Sequence, residues 1–276
     1  MVVLGLTGHG LSRAVIKNLP ADYIYMVRAG LMVNGIPDEY FSGMEFADQI
    51  ASLEADEVIV FVQSCNSGVL SRVNFMNKYA QILANEVSQK RKNIAVITPV
   101  NEYLLSPING FEPILQRTFE KTQDITADVV TYAQFKDALV RTSCEDKHYY
   151  PQSEIKNPAA VQASAELNEL GTLEGIDPQF YESIDPSLPV FLTHQGIPKF
   201  RSGTLALPPK GQPSNDIQVS PETQAYCGKR QAESKSVFDS REQERLYFLN
   251  EINSCSKSAS RSTCIQQIRE RLNPTR

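Results

Sequence analysis

The chain has 276 residues, with 27 basic and 32 acidic side chains and a formal net charge of −5. Nucleic-acid binding is therefore disfavoured, because contacts to phosphates are made mainly by an excess of lysine and arginine. An apolar content of 41% is that of a globular protein and excludes a disordered or collagenous chain. The longest apolar run, residues 58–62, is far shorter than the ~20 residues of a membrane-spanning helix.

The first part of the chain alternates apolar strands with helical patterns. Apolar runs at 2–7, 57–63 and 93–98 predict three buried strands, since parallel strands that are covered on both faces are apolar throughout. Apolar residues at helical spacing predict helices over 43–53 and 73–89, between the strands. This order predicts an α/β domain with a mostly parallel sheet, whose ligand sites lie beyond the carboxyl ends of the strands.

The same domain continues with two more predicted helices. Residues 111–121 and 133–141 each place large apolar side chains on one face. We expect the domain to span residues 1–155. A proline-rich connector is predicted next, over 156–230, because ten of the sixteen prolines lie between residues 151 and 222 and such segments are mostly extended.

Short pieces of this connector are predicted to pack back onto the first domain. They are a helix at 159–170 and a strand at 189–192. Helical spacing then returns at 231–253 and 263–272. The sequence therefore predicts a C-terminal helical hairpin over residues 231–276.

A histidine and a cysteine come directly after two of the predicted strands. His9, one of three histidines, follows the first strand, and Cys65 follows the second. Strands joined by one crossover are commonly neighbours in a parallel sheet, so we expect the two residues to face each other. A thiol with the ordinary pKa of about 8.5 needs a base to become a nucleophile. The pair favours acyl transfer through a thioester, with the backbone amides of Gly10 and Cys65 as oxyanion donors.

The alternative for both residues is structural. Cysteine is among the most buried residue types, so Cys65 can be a small apolar core residue. His9 can equally be a loop histidine that is hydrogen-bonded to the backbone. The two strand-end positions and the flanking Gly8 and Gly10 favour the catalytic interpretation.

An ordered set of motifs resembles the caspase/legumain group of cysteine peptidases, known as clan CD. The set is an apolar strand with Thr7-Gly8-His9-Gly10, a second with Gln63-Ser64-Cys65-Asn66-Ser67-Gly68, and a third that ends at Thr98. Asn109-Gly110-Phe111 resembles the start of a helix that packs on the caspase-like sheet. Residues 128–135 resemble the late helix, and Tyr150-Pro151-Gln152-Ser153 resembles the closing segment of the domain. The resemblance covers residues 1–155.

The resemblance implies a caspase-like three-layer sandwich and a cysteine endopeptidase. It implies that His9 is the general acid and base, that Cys65 is the nucleophile, and that the amides of Gly10 and Cys65 form the oxyanion hole. Gln63 falls where caspases carry glutamine, and residues 98–106, Asn101 among them, are expected to form a wall of the substrate pocket. The mechanism needs no cofactor.

The resemblance also implies additional strands beside the histidine-bearing strand of the sheet. Family members place two strands before the histidine-bearing strand, whereas here that strand begins at Met1. We therefore expect a preceding segment or a partner chain to complete the sheet, because an unpaired strand edge favours aggregation. Since no secretory signal follows Met1, a cytoplasmic location is the default expectation. Export is expected if the native start lies upstream.

The remaining cysteines and histidines give weaker signals. Cys255 and Cys264 either close a disulfide between two helices or remain as reduced thiols, and the sequence leaves both open. His148 and His194 lack partners at metal-ligand spacing, so we assign them to structure or surface. No acidic loop has the spacing of a calcium site. No metal is therefore expected.

Two other functions remain beside the peptidase. A caspase-like domain can be a catalytically silent scaffold that binds partner proteins, because a fold does not guarantee its chemistry. The thioester can also pass its acyl group to an amine instead of water, as in some legumain relatives. Loss of the Cys65 thiol separates the scaffold from the enzymes, and the ratio of ligated to hydrolysed product separates the two enzymes.

Overall fold

The structure is a computed structural model, and it describes much of the chain. The described residues are 1–7, 9–11, 25–27, 32–33, 36–37, 40–42, 49–50, 52–65, 67–68, 93–101, 104, 106–107, 110–151, 153, 155, 175–255 and 260–272. Their strands are β1 Val2–Thr7, β2 His9–Leu11, β3 Tyr25–Val27, β4 Met32–Val33, β5 Ile36–Pro37, β6 Tyr40–Ser42, β7 Glu57–Gln63, β8 Asn93–Thr98, β9 Val129–Thr131, β10 Gln179–Ser183 and β11 Pro189–Leu192. Their helices are α1 Phe111–Gln123, α2 Tyr132–Cys144, α3 Gly196–Ser202, α4 Pro221–Cys255 and α5 Arg261–Leu272.

The protein is an α/β protein with a mixed, mostly parallel sheet of four strands. The strands lie in the order β1, β7, β8, β10. The first three are parallel, and β10 is antiparallel to β8. The predicted strands at 2–7, 57–63 and 93–98 are thereby confirmed, and the apolar runs of β7 and β8 suit the buried centre of such a sheet.

Burial differs along this sheet. Strands β7 and β8 are buried over most of their length. Strand β1 instead alternates between half-buried and exposed residues, and Val3 is 54% exposed. Within the described part of the chain, β1 pairs with β7 alone. Among the described strands it therefore lies at the edge of the sheet, although its composition is that of an internal strand.

Helices α1 and α2 cover one face of the sheet. Phe135 of α2 packs edge-on against Phe61 of β7, with ring centroids 5.8 Å apart. Ile97 of β8 and Ile114 of α1 belong to the same core cluster, and both are fully buried. These helices confirm the predictions at 111–121 and 133–141, with slightly longer spans.

Thr131 fixes where α2 begins. Its hydroxyl accepts a hydrogen bond from the Gln134 amide, and the Gln134 side chain accepts one from the Thr131 amide. This capping box satisfies two backbone donors at the start of the helix. The strand β9 therefore passes directly into α2.

The proline-rich segment differs from the expected connector. Residues 179–183 form β10 and complete the edge of the main sheet, and β11 pairs with β9. Ile176, Ile184 and Ile217 are buried in the core cluster. The described part of this segment is therefore integrated into the domain, because its apolar residues reach the core between the prolines. The predicted strand at 189–192 is confirmed.

The chain ends in a pair of helices, as the sequence predicts. The first, α4, begins at Pro221, ten residues before the predicted start, because proline fits the first position of a helix. Ile252 of α4 and Ile268 of α5 are buried against each other, and a disulfide joins Cys255 to Cys264. Of the predicted helix at 43–53, residues 49, 50 and 52 are helical. The predicted helices at 73–89 and 159–170 lie outside the described residues.

Candidate active site

The two strands that precede the predicted catalytic residues end at the same edge of the sheet. Strands β1 and β7 pair in parallel, with Thr7 opposite Gln63. His9 and Cys65 each come two residues after these paired residues. Because adjacent strands lie about 4.8 Å apart, the carboxyl ends of β1 and β7 are neighbours at this edge.

His9 begins a short second strand rather than a loop. It lies in β2, where it pairs with Val27, and Gly10 pairs with Met26. Strands β2, β3 and β6 form a small antiparallel sheet. The backbone at His9 is therefore held by strand pairing just beyond the end of β1.

Cys65 lies in the turn that follows β7 and is partly exposed. It takes part in neither disulfide. The turn is tied together by the Ser67 hydroxyl, which donates a hydrogen bond to the carbonyl oxygen of Ser64 at 2.8 Å, and both serines are buried. The thiol is thus carried on a tight, internally bonded turn.

Gly68 brings the Cys65 turn into contact with the segment that follows β8. A Cβ atom at this position would lie 2.5 Å from the Cα of Asn101 and 2.7 Å from the carbonyl oxygen of Val100. Such distances exclude any larger residue, so glycine is required for the approach of the two backbones. The Cys65 turn and residues 98–101 of the predicted pocket wall therefore belong to one packed unit.

Asn101 is buried within this wall. It is 1% exposed, and its side-chain amide donates a hydrogen bond to the Asp177 carboxylate at 2.9 Å. The Asp177 amide in turn donates to the carbonyl oxygen of Pro99 at 2.9 Å. Asn101 thus holds the wall to the residues before β10, and its contact with substrate stays a prediction.

Asp177 is a residue of this edge that sequence reasoning misses. It is separated from Asn101 by 76 positions and precedes a strand that the apolar pattern does not predict. Antiparallel pairing of β10 with β8 brings the start of β10 to the carboxyl ends of the parallel strands. The prolines and acidic residues around it carry no signal of this placement.

A small apolar cluster supports the wall from behind. It contains Val100, Leu104, Tyr150, Ile155 and Phe238, each at most 6% exposed. Gly175 packs closely here as well, since a Cβ atom on it would lie 2.9 Å from a methyl group of Leu104. The cluster joins the wall to the segment around Tyr150 and to helix α4.

Gln63 is the last residue of β7 and is partly exposed. Its position two residues before Cys65 places it at the same edge of the sheet as the other site residues. The prediction that it contacts substrate stays a prediction.

The two other histidines have no role in the predicted site. The Nδ1 atom of His148 is 3.3 Å from the Asp146 carboxylate, and His194 is exposed. Burial tends to raise the pKa of Asp146, but hydrogen bonds from the His148 amide and the Arg117 guanidinium outweigh burial and lower it. This arrangement is that of a surface ion pair.

The described residues contain no group of three or more His, Cys, Asp or Glu side chains that could hold a metal ion. In the same part of the chain, no helix combines the length and the apolar character needed to cross a membrane. A small cavity of about 180 Å³, lined by Glu57, Asp185, Leu207 and neighbouring residues, lies at the start of β7. It is therefore at the edge of the sheet opposite Cys65.

Comparison with known proteins does not assign the chain to a family. No family model, no curated protein and no solved structure matches it.

Proposed function

We propose that the protein is a cysteine endopeptidase with a caspase-like domain, in which Cys65 is the nucleophile and His9 the general acid and base. The observation that carries the proposal is the parallel register of β1 with β7. It supports a site in which the only cysteine outside the two disulfides follows one strand and a histidine follows its neighbour. In a parallel sheet, this edge is where ligand sites are found.

The proposed reaction follows from these residue types. His9 accepts the proton of the Cys65 thiol, and the thiolate attacks the carbonyl carbon of a peptide bond. The backbone amides of Gly10 and Cys65 donate hydrogen bonds to the oxygen that becomes negatively charged. The carbon–nitrogen bond then breaks, and His9 returns the proton to the leaving amine. Water hydrolyses the thioester and regenerates the thiol.

The packing of Asn101 and Gly68 supports the proposed role of residues 98–106 as a wall of the substrate pocket. Asn101 is buried and hydrogen-bonded, and Gly68 fixes the spacing between the Cys65 turn and the wall. A pocket that is preformed in this way can select the side chain of a bound peptide without a large rearrangement. We keep Gln63 in the proposal as a contact for that side chain.

The test is to incubate the whole chain and its variants with a complex peptide library and to map new termini by mass spectrometry. We expect new termini with the native protein and none with Cys65→Ala. His9→Asn is expected to lower kcat/KM by roughly 10²–10⁴-fold, the usual contribution of a general acid and base. His194→Asn is the matched control, because His194 is exposed and follows β11, which belongs to a different sheet from β1, and it should leave the activity unchanged.

The outcomes separate the alternatives. Termini that persist with Cys65→Ala would refute the proposed nucleophile. A native chain that yields no new termini would favour the silent scaffold. Products in which two library peptides are joined, formed only when Cys65 is present, would show transfer to an amine in place of water.

A further inference from the structure

Helix α4, the first of the two C-terminal helices, packs on the wall of the candidate site. Phe238 of α4 is 4% exposed and lies in the cluster with Val100 and Leu104, both fully buried. Its ring packs against Tyr150, with centroids 5.0 Å apart and planes tilted by 31°. Val100 directly precedes Asn101 in the chain, so the helix supports the wall from its buried side.

The first turns of α4 are fixed firmly to α2. The Asp137 carboxylate accepts hydrogen bonds from the Ser220 amide at 2.6 Å and from the Thr223 hydroxyl at 2.9 Å. A disulfide then joins Cys144 at the end of α2 to Cys227 of α4. The beginning of α4 is therefore anchored both by hydrogen bonds and by a covalent bond.

A rigid arm connects this anchor to the wall. Cys227 and Phe238 are eleven residues apart on one continuous helix, a distance of about 16 Å at 1.5 Å per residue. An α-helix of this length transmits the position of its anchored end to the buried ring. The attachment of α4 to α2 thus helps to set the position of Phe238 beside Val100 and Leu104.

We infer that α4 is a brace for the substrate pocket, in which Phe238 positions the wall at residues 98–106 and the Cys144–Cys227 disulfide holds the brace in place. This inference rests on the proposed function where it concerns the substrate, and on the packing alone where it concerns the wall. Removing the ring leaves a cavity beside Val100 and Leu104, and the wall relaxes into it. The brace acts on the binding of the peptide, since Phe238 does not touch the reacting atoms.

The first test measures the wall directly, by hydrogen–deuterium exchange of the peptide that covers residues 98–106. Phe238→Ala and the milder Phe238→Leu are expected to speed its exchange several-fold, with little change in peptides from β7 and β8. Val237→Ala is the matched control, because Val237 is the adjacent residue of the same helix and is 51% exposed. Unchanged exchange at 98–106 in folded Phe238→Leu, or an equal rise in every peptide, would overturn the brace.

The second test compares the two disulfides. The double variant Cys144→Ser/Cys227→Ser is expected to speed exchange at 98–106, because it frees the anchored end of α4. The double variant Cys255→Ser/Cys264→Ser removes the other disulfide, at the far end of the helix, and should leave this segment unchanged. The same effect from both double variants would contradict a role specific to the anchor.

A third measurement connects the brace to the substrate. With a peptide found in the library, Phe238→Leu should raise KM several-fold while kcat changes much less. An unchanged KM together with faster exchange would overturn the link to substrate binding. If the native chain has no Cys65-dependent activity but the exchange results hold, the proposed function fails and the brace stands.

Discussion

Lys136 is a charged residue in the middle of the core. It is 9% exposed, and its ammonium group donates hydrogen bonds to the Glu182 carboxylate at 2.5 Å and to the carbonyl oxygen of Ile217 at 2.6 Å. The Tyr132 hydroxyl donates to the other oxygen of Glu182 at 2.8 Å. Burial raises the pKa of Glu182, and the bonds from Lys136 and Tyr132 oppose this rise. The network joins α2, β10 and the segment before α4.

Replacing Lys136 by methionine should therefore be strongly destabilising. The change leaves the Glu182 carboxyl buried without its cation, and breaking a buried pair in this way costs about 3–5 kcal/mol. Lys199→Met is the matched control, because Lys199 forms an ion pair with Asp128 at 2.7 Å but its side chain is 50% exposed. Exposed pairs contribute about 0–1 kcal/mol. Urea unfolding measures the free energy of unfolding of both variants. Equal losses of stability would contradict the prediction.

Asp185 makes the stability of the protein depend on pH in the acid range. Its carboxylate accepts hydrogen bonds from the amide and hydroxyl of Ser187 and from the Gly211 amide. Burial tends to raise the pKa of Asp185, but these bonds outweigh burial and lower it. The stability that Asp185 contributes is therefore present above its unfolded pKa of about 3.9 and is lost as the pH falls toward the lower folded pKa.

Asp185→Asn should make the stability of the protein less dependent on pH in the acid range. The amide cannot accept all three hydrogen bonds, so the variant is less stable near neutral pH, and the difference from the native protein shrinks below about pH 4. Unfolding midpoints in urea between neutral and acid pH measure the difference. A constant difference at every pH would show that the carboxylate charge has no part in it.

At the scale of single elements, the cap of α2 gives a further prediction. Thr131→Ala removes the side-chain acceptor of the capping box and should cost about 0.5–2 kcal/mol of stability. Gln134→Ala removes the reciprocal bond and should cost less than Thr131→Ala, because the threonine hydroxyl still caps the helix. Thermal or urea unfolding compares the two variants. No loss of stability in Thr131→Ala would indicate that tertiary packing alone fixes the start of α2.

The elements that the sequence predicts well are those whose apolar pattern is set by burial. Strands β7 and β8 are apolar on both faces because both faces are covered, and their bounds agree with the prediction. Strand β10 escapes prediction because it is a short edge strand in which Gln179, Glu182 and Ser183 interrupt the apolar pattern. Glu182 is buried there only because Lys136, 46 positions away, neutralises it. Such a partner cannot be inferred from spacing along the chain.

The residues of the candidate site also fall into two groups, those that the sequence predicts and those that it does not. His9 and Cys65 can be predicted because each follows a strand that is recognisable by itself. Asp177 and Phe238 cannot, since their places depend on how β10 and α4 pack on the domain. Thr223 and Cys227, which help to anchor α4, are small residues in a mostly polar stretch, so helical periodicity is weak before residue 231.

At the scale of the whole molecule, the cysteines show how the chain is held together. Four of the five cysteines form the pairs Cys144–Cys227 and Cys255–Cys264. In the chain-entropy account, closing a loop of 83 residues stabilises the fold by roughly 4–5 kcal/mol, and a loop of nine by roughly 2–3 kcal/mol. Structural disulfides are typical of oxidising compartments. We therefore expect the protein to work in such a compartment.

Differential alkylation checks this expectation. Before reduction, a thiol reagent should label Cys65 alone in the unfolded chain, and after reduction it should label all five cysteines. Peptide mapping of the unreduced chain should recover Cys144 linked to Cys227. Recovery of these cysteines as separate labelled thiols, from protein isolated with thiols blocked at lysis, would contradict the assignment.

The Cys144–Cys227 bond also closes a covalent loop, which links the end of α2 to α4 in addition to the backbone between them. A protease that cuts the chain anywhere from residue 145 to residue 226 would produce two polypeptides that remain one molecule. Where the cut lies before β10, the second polypeptide would also stay bonded to the sheet by the backbone pairing of β10 with β8. A nicked protein would therefore migrate as a single species until it is reduced, and it would keep Cys65 and Phe238 in the same particle.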